Sequence, residues 1–191
     1  MLDNLIVYPK LISYSKHKFR KLLNGDEFRA LSEYTLFSYY FINNQLRGVE
    51  DYGDSVGKLI DSIDSALNKS TFDGHIKVYR RVNLNMEHFI LEREHALSGI
   101  MCDPAYVSTS LTKRIGSYPK NDYIVKENKP HYNMEIDVPS TLCGAYIAPI
   151  SGYVKREYEF LIKRNVPMEV LDLEDDKEHN AMNIKARVLM K

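Results

Sequence analysis

Apolar residues recur along this chain first at helical spacing and then at strand spacing. Asn24-Gly25-Asp26-Glu27 offers a helix entry. Beyond it Phe28, Leu31, Thr35, Tyr39, Ile42 and Leu46 step by three and four, and Gly48 ends the run. Asp54-Ser55 offers a cap for a second helix, whose stripe is Val56, Leu59, Ile60, Ile63 and Leu67. The period then changes. Ile76 to Val82 alternates as a strand does, Met86 to Gly99 returns to helical spacing, and Ala105 to Leu111 reads as a strand. After a polar loop, Thr112 to Lys129, strands are expected over Tyr132–Val138, Gly144–Ile150, Glu157–Ile162, Met168–Leu173 and Ala181–Met190. Helices first and strands later predict an α+β fold. The expected organisation is an N-terminal arm or helix over residues 1–25 and a single domain over 26–191.

Composition narrows the partners. Lys plus Arg and Asp plus Glu balance at 26 each, so no global field favours a polyanion. The lead segment is locally basic, with Lys10, Lys16, Lys18, Arg20 and Lys21; a solvated helix face or a target-binding arm would both account for it. No apolar run is long enough to span a bilayer, and no secretory signal pattern opens the chain. The expectation is action in the cytoplasm where it is made, or delivery to a target cell by a dedicated route. Cys102 and Cys143 are too few for a disulfide framework. The six His form no His-Glu-x-x-His, and there is no Cys-x-x-Cys, so no metal is expected. No Gly-x-Gly-x-x-Gly or Walker loop is present. Fourteen Tyr and no Trp suit the walls of a polar cleft.

The residues that could carry chemistry are spread over three strands. On a strand, Glu157 and Glu159 of Glu157-Tyr158-Glu159 share one face while Tyr158, Phe160 and Ile162 point into a core. The spacing alone is weak: Glu92-Arg93-Glu94 repeats it and reads as a solvated helix face. Arg80 stands at the end of the apolar row Ile76 and Val78, where a guanidinium can grip a phosphate, and Arg81 projects to the other face. Ser108-Thr109-Ser110 brings three hydroxyls into one strand, Ser108 and Ser110 on one side, able to orient a carboxylate or bind a ribose.

Arginine, then Ser-Thr-Ser, then Glu-x-Glu, each on its own strand, is a more specific pattern than any one part. In it the chain resembles the mono-ADP-ribosyltransferases of the arginine-serine-glutamate class, and most closely the bacterial exoenzyme toxins. Tyr34-Thr35, Tyr39, Ile42-Asn43-Asn44 and Leu46-Arg47 look like that family's first cleft helix. Val78 to Val82 looks like its arginine strand, Tyr106 to Leu111 its Ser-Thr-Ser strand, and Gly144 to Leu161 its toxin-type loop and Glu-x-Glu strand.

The resemblance implies N-terminal helices packed on two small, mostly antiparallel sheets that flank an NAD cleft. It implies NAD as co-substrate without a metal, and cleavage of the nicotinamide–ribose bond through an oxocarbenium-like transition state. By the same likeness Glu159 is the catalytic acid, Ser108 orients it and Arg80 grips the phosphate beside the nicotinamide ribose. Arg81, Arg47, Asn43, Thr109 and Ser110 are further NAD contacts. Glu157 would engage an acceptor guanidinium and Tyr153 touch the target protein. Tyr118 or Tyr123 would cover nicotinamide. A monomer acting on arginine of a protein is the expectation; nucleic acid or water as acceptor, and a non-catalytic NAD-binding relative, are the alternatives.

Overall fold

The protein is described by a computed structural model that covers residues 2–83, 86–113, 130–150, 158–178 and 180–189. A lead helix comes first: α1 (Leu2–Tyr14), a π turn at Ser15–Phe19 and a last turn, α2 (Arg20–Leu22). Its partly buried Val7, Tyr8 and Ile12 and its buried Leu11 pack on the core of the sheet, and Ser15 Oγ donates to the Tyr146 carbonyl at 2.5 Å. Lys10, Lys16, Lys18, Arg20 and Lys21 are exposed.

The next helix starts where expected. Asn24 caps α3 (Gly25–Glu33) by accepting from Glu27 N at 2.9 Å, and Glu27 accepts from Asn24 N at 2.8 Å, a reciprocal capping box. The helix continues through a π turn, Tyr34–Ser38, into α4 (Tyr39–Leu46). That wide turn shifts the phase of the stripe. Leu31, Tyr34, Ser38 and Ile42 are buried, whereas Thr35 is half-buried and Tyr39 is exposed, contrary to the expected run. Gly48, at φ 69°, lies just beyond the end, as a C-terminal glycine does. α5 (Asp54–Asn68) is entered from Gly53, at φ 78°, and neither Asp54 nor Ser55 is its cap.

The strands are β1 (Ile76–Asn83), β2 (Ile100–Cys102), β3 (Val107–Ser110), β4 (His131–Val138), β5 (Gly144–Tyr146), β6 (Glu159–Ile162), β7 (Pro167–Asp176) and β8 (Ala181–Val188); α6 (Met86–Leu97) lies between the first two. β2 went unread in the sequence because it is three residues long, with one buried side chain between two exposed ones. Among the described residues the strands run in the order β2-β7-β8-β4-β1-β3-β6-β5, all antiparallel neighbours except the parallel β4–β8 pair. The two sheets of the expectation are joined edge to edge: one pair, Tyr79 opposite Ser110, links the five-strand half to β3, β6 and β5.

Two cores result. One joins α1 to the sheet through residues such as Ile76, Val78, Met134, Ile136, Phe160 and Ile162. The other joins α3, α4 and α5 to Tyr106, Ala145, Ile147 and Leu161. Alternation along β6 therefore divides its side chains between two cores, and all four of its residues are buried. Gly144 makes this possible at one point, because a Cβ there would stand 2.2 Å from the Leu161 carbonyl oxygen.

Candidate active site

The site is built where β1, β3 and β6 meet. Ser110 stands opposite Glu159 and Ser108 opposite Leu161, so Ser108 and Glu159 are diagonal neighbours on one face. Ser108 Oγ donates to Glu159 Oε1 at 2.6 Å, a short bond of the kind an ionised acceptor makes. Glu159 is 6% exposed. Arg80 reaches the same serine from β1: its Nη1 donates to the Ser108 carbonyl at 2.9 Å, and its Nε lies 3.4 Å from the Tyr132 hydroxyl. Burial opposes the charge of this guanidinium, but Tyr132, Asp103 and Tyr34 outweigh that effect and its pKa moves upward. Arg80, Ser108 and Glu159, far apart in sequence, thus form one connected unit.

Tyr158 does not follow the alternation expected of it. It precedes β6 at φ 46° and is 41% exposed, while its carbonyl accepts from Leu111 N at 3.0 Å. A left-handed tyrosine costs about 1–2 kcal/mol. Only Phe160 and Ile162 of the three expected core residues are buried.

The remaining expected residues separate. Arg47, just past α4, makes a bidentate pair with Asp103: Nε to Oδ1 at 3.0 Å and Nη2 to Oδ2 at 2.6 Å. Asn43 Nδ2 donates to the Tyr34 hydroxyl at 3.1 Å, and its buried Oδ1 has no hydrogen-bond partner among the described residues. Thr109 is buried and its hydroxyl donates to the Phe160 carbonyl at 2.6 Å, which ties β3 to β6. Ser110 Oγ accepts from Thr112 N at 3.1 Å. Arg81 is exposed and lines a groove of about 340 Å³ on the polar side of the sheet, with Tyr79, Asn133, Glu135, Glu174 and Asn183 among its other walls. Glu157, Tyr153, Tyr118 and Tyr123 lie outside the described residues.

A family model for the ADP-ribosyltransferase exoenzymes matches residues 13–191, nearly the whole chain. The chain belongs to the ADP-ribosyltransferase exoenzyme family. Such enzymes transfer ADP-ribose from NAD. By sequence search, no curated protein matches it at a significant level. Solved structures resemble it closely in fold. Plx2a, an ADP-ribosyltransferase toxin of Paenibacillus larvae, is 22% identical with a TM-score of 0.70, covering 97% of this chain and 98% of its own. An ADP-ribosyltransferase of Clostridium botulinum is 21% identical with a TM-score of 0.67, over 93% and 90%. A protein of S. aureus, solved with NAD, is 19% identical with a TM-score of 0.67, over 100% and 96%. At such identities the likeness establishes the fold: helices and a mixed sheet in the arrangement of ADP-ribosyltransferase toxins.

Two acids whose charges reach Arg80, Asp103 and Glu92, give no signal in the sequence. Asp103 follows β2 and meets Arg47 only in three dimensions. Glu92, set aside as part of a solvated helix face, is half-buried on α6. Burial, chiefly, raises its carboxyl pKa; Asp103 adds to this, while His95, Arg80 and Arg47 oppose it. Its neighbour Arg93 pairs with Asp175 of β7 at 2.7 Å, and of the three residues only Glu94 is exposed. Spacing along the chain reveals neither environment, because both depend on what α6 and β2 pack against. No group of three or more His, Cys, Asp or Glu suited to hold a metal is found among the described residues.

Proposed function

We propose that this chain is an NAD-dependent mono-ADP-ribosyltransferase that modifies arginine on a protein. The observation that carries the chemistry is the 2.6 Å Ser108–Glu159 bond, with Arg80 tied to the same serine. Glu159 accepts from the ribose 2′-hydroxyl and stabilises positive charge as the nicotinamide bond breaks. Ser108 fixes the carboxylate, and Arg80 binds the adjacent phosphate through N–H groups not engaged by Ser108. Asn43 on α4 and Arg47 just past its end extend NAD recognition; Arg81, Thr109 and Ser110 belong to the same two strands as Arg80 and Ser108. Glu157 engages the acceptor guanidinium and Tyr153 the target surface.

Support for the arginine acceptor comes from Vis of Vibrio splendidus, 21% identical with a TM-score of 0.69 over 96% of this chain and 83% of its own, which has been solved in complex with agmatine. Agmatine carries the guanidinium group of arginine. The test is release of nicotinamide from NAD by the purified chain, with agmatine or arginine-rich protein as acceptor and mass spectrometry of the product. Glu159→Gln should lower turnover on the order of a hundredfold or more. Near-normal turnover in that variant removes the mechanism. Nicotinamide release that no guanidinium acceptor accelerates, with no labelled product, would identify water as the acceptor instead.

A further inference from the structure

We infer that Asp103 is a positioning residue for NAD binding, which holds Arg47 in place before the dinucleotide arrives; this rests on the reading of Arg47 as an NAD contact. Asp103 is itself fixed from several sides. Its Oδ1 accepts from Ala105 N at 2.9 Å, a local turn that leads into β3 and Ser108. Its carbonyl accepts from Asn165 N at 2.9 Å. Both carboxylate oxygens then take Arg47, at 3.0 and 2.6 Å. The pair therefore ties the end of the Asn43 helix to the strand that carries Ser108.

The pair is poorly placed for stability, since the Arg47 and Asp103 side chains are 34% and 22% exposed. It is well placed for geometry. Arg47 stands just past the end of a helix, on a long side chain that would otherwise sample many rotamers. The bidentate pair uses Nε–H and one Nη2–H, which leaves three of the guanidinium's five N–H groups for a phosphate. Fixing them in the free enzyme removes an ordering cost from NAD binding.

Asp103→Asn keeps the shape and the bond to Ala105 N but leaves Arg47 one acceptor. It should raise KM for NAD about fivefold to tenfold, with kcat within about twofold and an unchanged melting temperature. Asp103→Glu should restore part of the loss. In an Arg47→Ala background Asp103→Asn should add nothing, because its effect passes through Arg47. An unchanged or lower KM in Asp103→Asn overturns the inference, the lower value marking Asp103 as a competitor of phosphate. Equal losses in both backgrounds overturn it as well and mark a structural role. If Arg47→Ala alone leaves KM for NAD unchanged, the reading of Arg47 fails and the inference falls with it.

Discussion

A buried carboxylate needs hydrogen-bond donors, and the serine that supplies one to Glu159 also sets its aim. Hydrogen bonds to charged groups contribute about 1.5–3 kcal/mol. Ser108→Ala should therefore lower kcat for NAD cleavage about tenfold to a hundredfold, with a much smaller change in KM. Steady-state nicotinamide release tests this, and an unaltered kcat would mean that Ser108 does not position the acid. The family resemblance singles out Arg80, Ser108 and Glu159, one to each of three strands, and the fold brings them together. Asp103 and Glu92 were not legible in the sequence, since no spacing relates them to Arg47 or Arg80. Tyr158 misled for another reason: alternation assumes extended backbone, and this residue is left-handed.

Among the elements, α3 and α5 are joined through one buried acid. Besides its cap, Glu27 accepts from Ser65 Oγ and from Lys69 Nζ, both at 2.7 Å, and it is 2% exposed. Burial alone would raise its pKa, but Lys69, Ser65 and the Asn24 N–H outweigh it and the net direction is downward. A folded-state pKa below the unfolded value gives stability that is present above the unfolded value, near 4.3, and is lost as pH falls through the folded one. Glu27→Gln should be less stable at neutral pH and lose less on acidification; parallel denaturant midpoints for the two proteins from neutrality to about pH 3 would contradict this.

β6 supplies a second prediction at this scale. Gly144→Ala sets a Cβ 2.2 Å from the Leu161 oxygen and 3.0 Å from Ile162 Cα, so β5 must part from the strand that carries Glu159. A loss of about 1–3 kcal/mol is expected in denaturant unfolding, together with reduced turnover. The order of these elements could be read from periodicity. The π turn could not, because a step of three or four residues on either side of it looks the same before the phase shifts.

At the scale of the whole molecule, tyrosines link the two cores and the cleft. Tyr8 of α1 donates to the Lys77 carbonyl of β1 and is pushed up to about 12, chiefly by burial and further by Tyr79. Tyr146 of β5 is likewise pushed up to about 12, again chiefly by burial. Tyr34 and Tyr106, buried edge to face at 5.8 Å, are also raised; burial leads in both, with Glu159 acting on Tyr34 and the Asp64 hydrogen bond on Tyr106. The sign is opposite to that of Glu27. An acid whose pKa rises on folding holds its proton more tightly in the native state. Its stability is fully present below the unfolded value, near 10, and is lost as pH rises through the folded one. Because these phenols lie in both cores, their ionisation should coincide with global unfolding. Titration from about pH 9 to about pH 13 should then show the exposed tyrosines ionising first, without loss of ellipticity. A second, steeper rise in tyrosinate absorbance should follow, superimposed on the loss of circular dichroism. Tyr8→Phe removes one such proton and its bond to Lys77, so its alkaline transition should be shallower. If all tyrosines ionise near pH 10 while the fold persists, these rings are wetter than their burial implies, and both cores would have to admit water at the sheet.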